Sequence, residues 1–399
     1  MIPEGWQRKT VGELCDFSNG NGFKPSDWSA DGLPIIRIQN LNGEKSFNYY
    51  SGEVRGKWLV EPGQLLFAWA GTKGVSFGPK IWRGPLGVLN QHIFKVEPLE
   101  GVAKEWLYEA LVHVTDVIEK KAHGFKATLL HVQKSDITEQ VVPLPPLHEQ
   151  KRIAQTLATW DEAITVTERL VEASQQQKSA LMQQLLTGKR RLPGFVEEWQ
   201  LVKMGDIAKR VSEKNNGQSN NVVTISGKRG LIRQTDFFNK SVASETLDGY
   251  TILRKGQFAY NKSYSDGYPM GAIKRLNLYD DAVVTSLYIC FEVQAADACE
   301  EFMEHYFESG VLNRGLKKVA AEGGRAHGLL NVKPSDFFDL RLLLPPKEEQ
   351  KAIAKVLSQA DAEIEAQQRR LDCLRQEKKA LMQQLLTGKR RVKLRDEAA

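Results

Sequence analysis

The sequence predicts a mixed α/β protein in which two α/β domains are separated by two long antiparallel coiled-coil helices, with an internal pseudo-two-fold repeat. Three observations predict this arrangement. A twelve-residue phrase occurs twice, 200 residues apart. A long apolar seam with alternating spacings of four and three residues leads into each copy of the phrase, as in coiled coils. Before each seam, short apolar segments alternate with Gly-rich turns, which is typical of strands in a compact domain.

The repeat is the strongest of these observations. The phrase at 180–191, ALMQQLLTGKRR, recurs residue for residue at 380–391. The same offset of 200 aligns the proline pair 145–146 with 345–346. Nearer the start of each half the offset becomes 193 and matches Trp6 with Trp199. The sequences between these markers share little else, so one framework is used twice with different contents.

Each long helix has predicted ends and a predicted seam. The proline pairs impose an extended approach, and Gly188 and Gly388 follow the last apolar residues as helix stops. About 38 residues at 1.5 Å each give a helix of roughly 57 Å. Ten positions form the seam of each copy: Ile153, Leu157, Trp160, Ile164, Thr167, Val171, Ser174, Lys178, Leu181 and Leu185, and in the second copy Ile353, Leu357, Ala360, Ile364, Gln367, Leu371, Leu374, Lys378, Leu381 and Leu385.

Such a narrow apolar seam favours a partner helix, and the nearest partner is the other copy, in antiparallel pairing. Two unrelated helices, each packed on its own domain, are the alternative. The polar positions Lys178 and Lys378 could instead mark where the helices of a second protein enter.

These markers predict four segments: a first domain at 1–146, a central helix at 147–191, a second domain at 192–346, and a helix with a basic tail at 347–399. Apolar runs within the domains predict strands, and amphipathic patterns predict helices. The predicted strands are 34–38, 64–69, 222–225 and 283–289, and the predicted helices are 103–120 and 298–319.

Composition sets broad limits on function. The net charge is +6, but 1–146 carry 16 basic and 16 acidic residues, and 200–345 carry 19 and 17. Neither domain is a basic stripe of the kind that binds polyanions without specificity. No apolar run is long enough to span a bilayer, and the start has no secretion signal. The four cysteines suit neither a disulfide framework nor a zinc site. We therefore expect reduced thiols and a cytoplasmic location.

Motifs for catalysis are missing. The sequence has no phosphate-binding loop, no amino-methyltransferase motif and no nuclease-type carboxylate pair followed by Glu-x-Lys. His148-Glu149 begins like a zinc helix, but Arg152 stands where the second histidine is required. We interpret His92 and His131 as hydrogen-bonded structural residues rather than catalytic bases. An enzyme is thus disfavoured, and no metal or cofactor is expected in this chain.

The repeated phrases resemble the helical regions of type I restriction–modification DNA-specificity subunits. The resemblance is specific in PLPPLHEQKRIA at 143–154 and LMQQLLTGKRR at 181–191, each with a second copy 200 residues further on. The domain starts, EGWQ at 4–7 and EEWQ at 197–200, are similar to those of the family as well. The resemblance covers essentially the whole chain, although the domain interiors match only in outline.

The resemblance implies a subunit that binds double-stranded DNA at a bipartite site. Each domain would be a target-recognition domain that reads one half-site, and the helices would set the gap between the half-sites. Two modification subunits would attach at the helices and methylate adenine at N6 with S-adenosylmethionine. Restriction subunits, which are ATP-driven translocases, would join them, so S-adenosylmethionine, ATP and Mg are expected on partner subunits. No membrane association is implied.

Polar and basic residues in Gly-rich loops near strand ends are the candidates for contact with DNA, because base edges are read by such side chains and phosphates by cations. They are Lys24, Arg37, Asn40, Lys73 and Lys126 in the first domain, and Lys228, Arg229, Lys262, Tyr264, Arg325 and His327 in the second. The candidates for partner binding are Lys178, Leu181, Leu185, Lys378, Leu381 and Leu385. The competing hypothesis is a coiled-coil interaction scaffold without DNA sequence specificity, which would explain the repeat and the seam equally well.

Overall fold

The computed structural model describes residues 2–121, 129–238, 246–265, 267–294, 298–320 and 330–392. The chain forms two compact units. Unit 1 comprises Met1–Glu168 and Arg370–Ala399, and unit 2 comprises Arg169–Arg369. Each unit therefore contains one α/β domain together with part of each long helix. The predicted boundaries at 146, 191 and 346 follow the helix ends rather than this division, and they stay a prediction.

Unit 1 contains a four-stranded antiparallel sheet in the order β2-β10-β6-β8 and a four-stranded mixed sheet in the order β4-β3-β9-β5. Two-stranded pairs β1-β12 and β7-β11 complete it. The strands are β1 (Gln7–Thr10), β2 (Cys15–Asn19), β3 (Leu33–Ile36), β4 (Tyr49–Tyr50), β5 (Leu59–Val60), β6 (Leu65–Ala68), β7 (Ala70–Thr72), β8 (Gly78–Ile81), β9 (Gly87–Leu89), β10 (Ile93–Pro98), β11 (Leu129–His131) and β12 (Val141–Leu144). The helices that begin in this unit are α1 (Ile38–Leu41), α2 (Lys104–Lys121), α3 (Lys134–Thr138) and α4 (Leu147–Leu185).

Unit 2 contains an antiparallel sheet in the order β14-β21-β18-β19 and the pairs β13-β22, β15-β16 and β17-β20. The strands are β13 (Gln200–Lys203), β14 (Ala208–Val211), β15 (Val223–Ser226), β16 (Gly230–Arg233), β17 (Thr251–Arg254), β18 (Phe258–Asn261), β19 (Ala272–Arg275), β20 (Asp281–Val284), β21 (Ile289–Val293) and β22 (Arg341–Leu344). The helices that begin in this unit are α5 (Met204–Ile207), α6 (Gln234–Phe238), α7 (Glu300–Glu308), α8 (Asn313–Val319), α9 (Pro334–Phe338) and α10 (Lys347–Leu386).

The two units share a framework and differ in what it carries. The sheet β2-β10-β6-β8 corresponds strand for strand to β14-β21-β18-β19, and β1-β12 corresponds to β13-β22. The mixed sheet of unit 1 is matched in unit 2 by two antiparallel pairs, β15-β16 and β17-β20, which only a single parallel bridge between Val222 and Val283 links among the described residues. The predicted mixed α/β fold with a duplicated framework is confirmed.

The long helices are confirmed, with 39 residues in α4 and 40 in α10. Each starts directly after its proline pair, and each is followed by a glycine in the left-handed region, Gly188 with φ 69° and Gly388 with φ 71°. A side chain at these two positions would be strained, which explains why glycine ends both helices.

The ten predicted seam positions of each helix are all buried or half-buried. Within unit 1, Asp161 of α4 binds Lys378 of α10 and Glu168 binds Arg375, so the numbers rise along one helix as they fall along the other. Within unit 2, Lys178 binds Asp361 in the same sense. The predicted antiparallel pairing is therefore present in both units, and the helices also pack on the domains.

The hydrophobic cores show how the helices join the domains. In unit 1, Phe67 of β6 and Trp106 of α2 lie in one cluster with Ile153 of α4 and Leu385 of α10. In unit 2, Phe291, Phe302, Ile353 and Leu185 form the equivalent cluster. Burial of one large apolar side chain contributes roughly 1.5–3 kcal/mol, so these clusters hold the helix ends firmly against the sheets.

Three predicted elements were wrong in extent. The strand predicted at 34–38 ends at Ile36, because the Asn40 side chain accepts the Arg37 N–H and starts helix α1. The run 283–289 is two strands, because a turn at 285–288 sends β20 and β21 to different sheets. The helix predicted at 298–319 is two helices, α7 and α8, separated at Gly310 with φ 75°.

No helix in the described parts of the chain is long and apolar enough to cross a membrane. The four cysteines are unpaired, and burial raises the pKa of Cys15 and of Cys290 to about 12. Both of these thiols therefore remain protonated near neutral pH and are poor nucleophiles.

Candidate nucleic-acid interface

The DNA-contact candidates of unit 1 have different surroundings. Lys24 is exposed and precedes a short 3-10 helix. The Arg37 guanidinium lies 4.7 Å from the centroid of the half-exposed Trp28 ring, a cation–π contact that still leaves the guanidinium edge available. Asn40 is only 7% exposed and donates to the carbonyls of Glu44 and Ser46. These bonds occupy both of its N–H donors, so Asn40 holds its own loop together.

Lys73 has a similar structural engagement. Its ammonium donates to the carbonyl of Glu119 at 3.0 Å, at the C-terminal end of α2, where a cation complements the helix dipole. The adjacent Gly74 N–H donates to the Glu119 carboxylate at 2.9 Å. The loop after β7 is thus fastened to α2.

In unit 2, the structure places Lys228 and Arg229 in the turn between β15 and β16, and both are exposed. We call residues Gly227–Arg229 the hairpin loop. Arg229 donates to the carbonyl of Asp236 at 3.0 Å, which directs its side chain back along the hairpin. Gly230 has φ 75°, as expected for the left-handed residue that closes a three-residue hairpin turn.

Tyr264 and Lys262 lie in the segment after β18, which we call the β18 loop (262–271, of which residue 266 is not described). Tyr264 is 65% exposed. Lys262 is half-buried, and its ammonium reaches the carbonyl of Val332 at 3.5 Å. The hydroxyl of Tyr268, in the same loop, lies 2.9 Å from the Gly227 carbonyl. The structure therefore brings the hairpin loop and the β18 loop together, and with them four of the predicted residues. Lys126, Arg325 and His327 lie outside the described residues.

The repeat identifies a counterpart that sequence reasoning missed. Lys262 follows β18 as Trp69 follows β6, with the offset of 193. The Trp69 ring contacts two histidine rings, with centroids 5.3 Å from His92 and 4.7 Å from His131. The offset alone was the signal that could have paired Trp69 with a DNA-contact candidate.

The partner-binding candidates are engaged within their own units. Leu185 and Leu385 are 1% and 2% exposed in the two cores, whereas Leu181 and Leu381 are half-buried. The ammonium of Lys178 lies 2.5 Å from a carboxylate oxygen of Asp361, and Lys378 binds Asp161 at 2.7 Å. As partner contacts these six residues stay a prediction.

In each unit, the tryptophan that begins one half of the repeat and the arginine that ends the other half meet at one buried carboxylate. In unit 2, Glu349 is 0% exposed and accepts from Arg191 at 2.7 and 2.6 Å and from the Trp199 indole at 3.2 Å. In unit 1, Glu149 likewise accepts from Arg391 and from Trp6. Arg191 and Arg391, the last residues of the basic runs KRR at 189–191 and 389–391, therefore close the two units, which the sequence did not reveal.

The described residues contain no group of three or more His, Cys, Asp or Glu side chains that could hold a metal ion.

Comparison with known proteins gives one family. A profile described as "Type I restriction modification DNA specificity domain" matches residues 3–173 and again 196–374. These two matches coincide with the two halves of the repeat and cover most of the chain.

Individual relatives agree. The type I restriction enzyme EcoBI specificity subunit of Escherichia coli is 32% identical over 161 residues, which are 40% of this chain and 33% of that protein. The MjaVIII specificity subunit of Methanocaldococcus jannaschii is 23% identical over 422 aligned positions, covering 98% of this chain and 94% of that protein. The crystal structure of the type I S subunit from M. genitalium has a TM-score of 0.55 at 16% identity, with 96% of both chains covered. That last similarity supports the fold.

Proposed function

The chain belongs to the type I restriction–modification DNA specificity family, and from this premise we propose that each of its units reads one half of a bipartite DNA target. In this proposal unit 1 and unit 2 recognise different sequences, and the helical segments set the gap between them. The chain itself carries out no catalysis. Two modification subunits bind it and methylate adenine at N6 with S-adenosylmethionine, and restriction subunits add ATP- and Mg-dependent cleavage.

One observation carries this proposal. The two units keep the same sheet order and the same Trp–Glu–Arg closure, by which we mean the buried glutamate that accepts from a tryptophan and an arginine. They differ at the positions where loops leave that framework. Where unit 1 has Trp69 beside two histidines, unit 2 has Lys262, whose ammonium reaches the Val332 carbonyl. A shared framework with different loops is what an asymmetric split target requires, because base edges are distinguished by the side chains presented to them.

Methylome sequencing tests the proposal. The chain is expressed with the modification subunit of its own system, and N6-methyladenine is mapped across the host genome. We expect one motif with two unlike half-sites and a fixed non-specific gap. Exchanging residues 1–146 for the equivalent segment of a relative should change one half-site and keep the other. A motif that changes in both halves, or no motif at all, contradicts the assignment, and the latter is what a scaffold without sequence specificity would give.

The absence of catalysis has its own test. The purified chain, free of partner subunits, is incubated with S-adenosylmethionine and DNA that contains the mapped motif. We expect no methyl transfer until the modification subunit is added. Methyl transfer by the chain alone would overturn the non-catalytic role.

A further inference from the structure

A compact polar cluster in unit 2 contacts the hairpin loop. Its members are Tyr268 of the β18 loop, Lys274 of β19 and Glu308 at the end of α7. The Lys274 and Glu308 side chains are only 12% and 32% exposed, and the Lys274 ammonium lies 4.8 Å from the centroid of the Tyr268 ring. The cluster therefore contains an ion pair that is largely withdrawn from water.

The hydrogen bonds of the cluster can be assigned group by group. The Lys274 ammonium has three N–H donors, and it has three acceptors: the Gly227 carbonyl at 2.8 Å, the Tyr268 hydroxyl at 2.9 Å and Glu308 at 2.5 Å. The single hydroxyl proton of Tyr268 goes to Glu308, because a charged acceptor is stronger than a carbonyl. Lys274 is thus the donor that holds the hairpin loop.

The shape of the loop points to the same contact. A Cβ atom at Gly227 would lie 2.7 Å from the Cε2 atom of Tyr268, closer than atoms of this kind approach. The φ of Gly227 is not in the left-handed region, so the backbone itself does not demand glycine there. Glycine is needed because the tyrosine ring packs directly on the loop.

Stability alone gives a weak reason for such a cluster. Withdrawing a lysine and a glutamate from water costs free energy, and well-packed apolar residues often stabilise a protein as much. A buried ion pair does, however, fix the geometry of the groups that it binds. Here those groups belong to two loops that carry Lys228, Arg229 and Tyr264.

Unit 1 lacks this cluster. Lys80 of β8 occupies the position of Lys274 in β19, because their cross-strand neighbours, Leu66 and Ala259, are equivalent. The Lys80 ammonium, however, donates to the Val75 carbonyl at 3.3 Å. The backbone N–H groups of Ala103 and Cys299 donate to the equivalent glutamines Gln150 and Gln350, which aligns α2 with α7 at an offset of 196. At this offset Val112 stands on α2 where unit 2 has Glu308 on α7. A device found in one unit suits a role in reading one half-site rather than in the shared framework.

We infer that Tyr268, Lys274 and Glu308 are positioning residues that hold the hairpin loop and the β18 loop in the arrangement that reads the unit 2 half-site. This inference rests on the proposed function. The cluster touches no base itself; it orders the loops before DNA binds, so that less conformational freedom is lost on binding.

The central test compares three forms of the chain, each assembled with its modification subunit: wild type, Lys274→Met, and Lys274→Met combined with Glu308→Gln. The probes are the duplex that carries the mapped motif and duplexes with either half-site scrambled. Lys274→Met leaves Glu308 without its cation and so also destabilises the fold. The double variant removes both charges and should restore stability, while the Gly227 carbonyl still lacks its ammonium donor.

We expect both variants to bind the motif about tenfold more weakly, which corresponds to about 1.4 kcal/mol. Discrimination against a scrambled unit 2 half-site should fall, and discrimination at the unit 1 half-site should stay unchanged. Recovery of wild-type binding in the double variant would show that the cluster serves stability alone and would overturn the inference. Gly227→Ala, which displaces the loop without removing a charge, should reproduce the loss at the unit 2 half-site.

Two controls separate this inference from the proposed function. Tyr288→Phe removes a hydroxyl that lies 3.4 Å from Thr224 in the β15 strand, outside the hairpin loop, and should leave discrimination unchanged. Lys228→Ala with Arg229→Ala tests the loop itself. If that double variant leaves the unit 2 half-site unaffected, the assignment of the loop to DNA fails. If it weakens binding and the cluster variants do not, only the positioning role is wrong.

Discussion

In each unit the same lysine of the repeat joins the two long helices by an ion pair. The side chain that the domain presents to this lysine differs between the units. In unit 1, Lys378 binds Asp161 at 2.7 Å and also Glu109 of α2 at 3.5 Å. In unit 2, Lys178 binds Asp361 at 2.5 Å, and His305 of α7 stands at the position of Glu109. The helix-to-helix ion pair is thus repeated, whereas the domain's contribution is not.

This difference makes the stability of the two units respond to pH in opposite directions. Burial raises the pKa of Glu109, although Lys378 opposes the shift, and Glu109 Oε2 has no hydrogen-bond partner in the described parts of the chain. Burial lowers the pKa of His305, and nearby Lys178 adds to the effect, while Asp361 and Glu308 oppose it. His305 also hydrogen-bonds Ser358 at 3.1 Å. In the folded state Glu109 thus holds its proton more tightly than in unfolded chains, and His305 holds its proton less tightly.

The repeat is constrained where its two halves bury the same charges. The Lys–Asp ion pair between the helices and the Trp–Glu–Arg closure are the same in both halves, because they bury charges that need fixed partners. Residues that the domains present to the helices have diverged, because either a carboxyl or an imidazole can face the lysine.

The largest expected effect comes from breaking the shared closure. Glu349→Ala removes the carboxylate that binds Arg191 and the Trp199 indole. Because losing one partner of a buried charge pair is strongly destabilising, we expect unit 2 to lose about 3 kcal/mol. Hydrogen exchange, measured by mass spectrometry on peptides of each unit, should show the loss in unit 2, and Glu149→Ala should show it in unit 1.

Glu348→Ala is the matched control for this prediction. Glu348 precedes Glu349 but is exposed and pairs with Lys351 one turn away. Its loss should change stability by less than about 0.5 kcal/mol. Equal effects of the two alanine substitutions would mean that the closure does not stabilise the unit.

The next effect separates the two lysines. Lys378→Met leaves Asp161 and the buried Glu109 without their common cation, so we expect about 2 kcal/mol of destabilisation at neutral pH. Lys178→Met leaves only Asp361, which is 39% exposed, and should cost about 1 kcal/mol or less. The same exchange measurement gives both values, and a larger loss for Lys178→Met would reverse the comparison.

The pH responses should follow the sign of each pKa shift. Above its ordinary pKa of 4.5, Glu109 is deprotonated in unfolded chains but still protonated in folded ones, so unit 1 loses stability as pH rises toward the raised pKa. Below 6.5, His305 is protonated only in unfolded chains, so unit 2 loses stability as pH falls toward the lowered pKa. Each slope reaches at most about 1.4 kcal/mol per pH unit.

Glu109→Gln and His305→Gln test these slopes. Glu109→Gln should flatten the pH dependence of unit 1 above pH 4.5, and His305→Gln should flatten that of unit 2 below pH 6.5, each leaving the other unit unchanged. Slopes of the same sign in both wild-type units, or slopes that persist in the variants, would contradict the assignment to these two residues.

The sequence could predict the parts of the molecule that depend on periodicity and turn chemistry. The helix ends at Gly188 and Gly388, the seam and its antiparallel pairing all follow from local patterns. Contacts between residues far apart in the chain could not be predicted from the sequence. Nothing near Glu349 in the sequence indicates that Arg191 and Trp199 converge on it, because each lies more than 140 positions away.

The candidate site was predictable in outline only. Exposed residues in tight turns, such as Lys228 and Arg229, follow from turn chemistry. Asn40 caps its own loop, and in sequence such an asparagine looks like one that reads a base, so its contact with DNA stays a prediction. Tyr268, Lys274 and Glu308 come from three separate elements, so only the fold brings them together.

The smallest expected effect concerns an exposed ion pair that only one unit has. In unit 1, Arg375 binds Glu168 at 2.7 Å, and their side chains are 51% and 44% exposed. The offset of 200 places Gln175 and Gln368 at these positions in unit 2. Both charges lie in water, where ordering two long side chains offsets most of the attraction, so Arg375→Gln with Glu168→Gln should cost about 0.5 kcal/mol or less. The single variants complete a double-mutant cycle, and the coupling should shrink in 1 M salt, where the Debye length falls to about 3 Å. The reverse transplant, Gln175→Arg with Gln368→Glu, should stabilise unit 2 by a similarly small amount. A coupling above about 2 kcal/mol that survives high salt would mean that this pair belongs to the shared closure rather than to the variable surface of the helices.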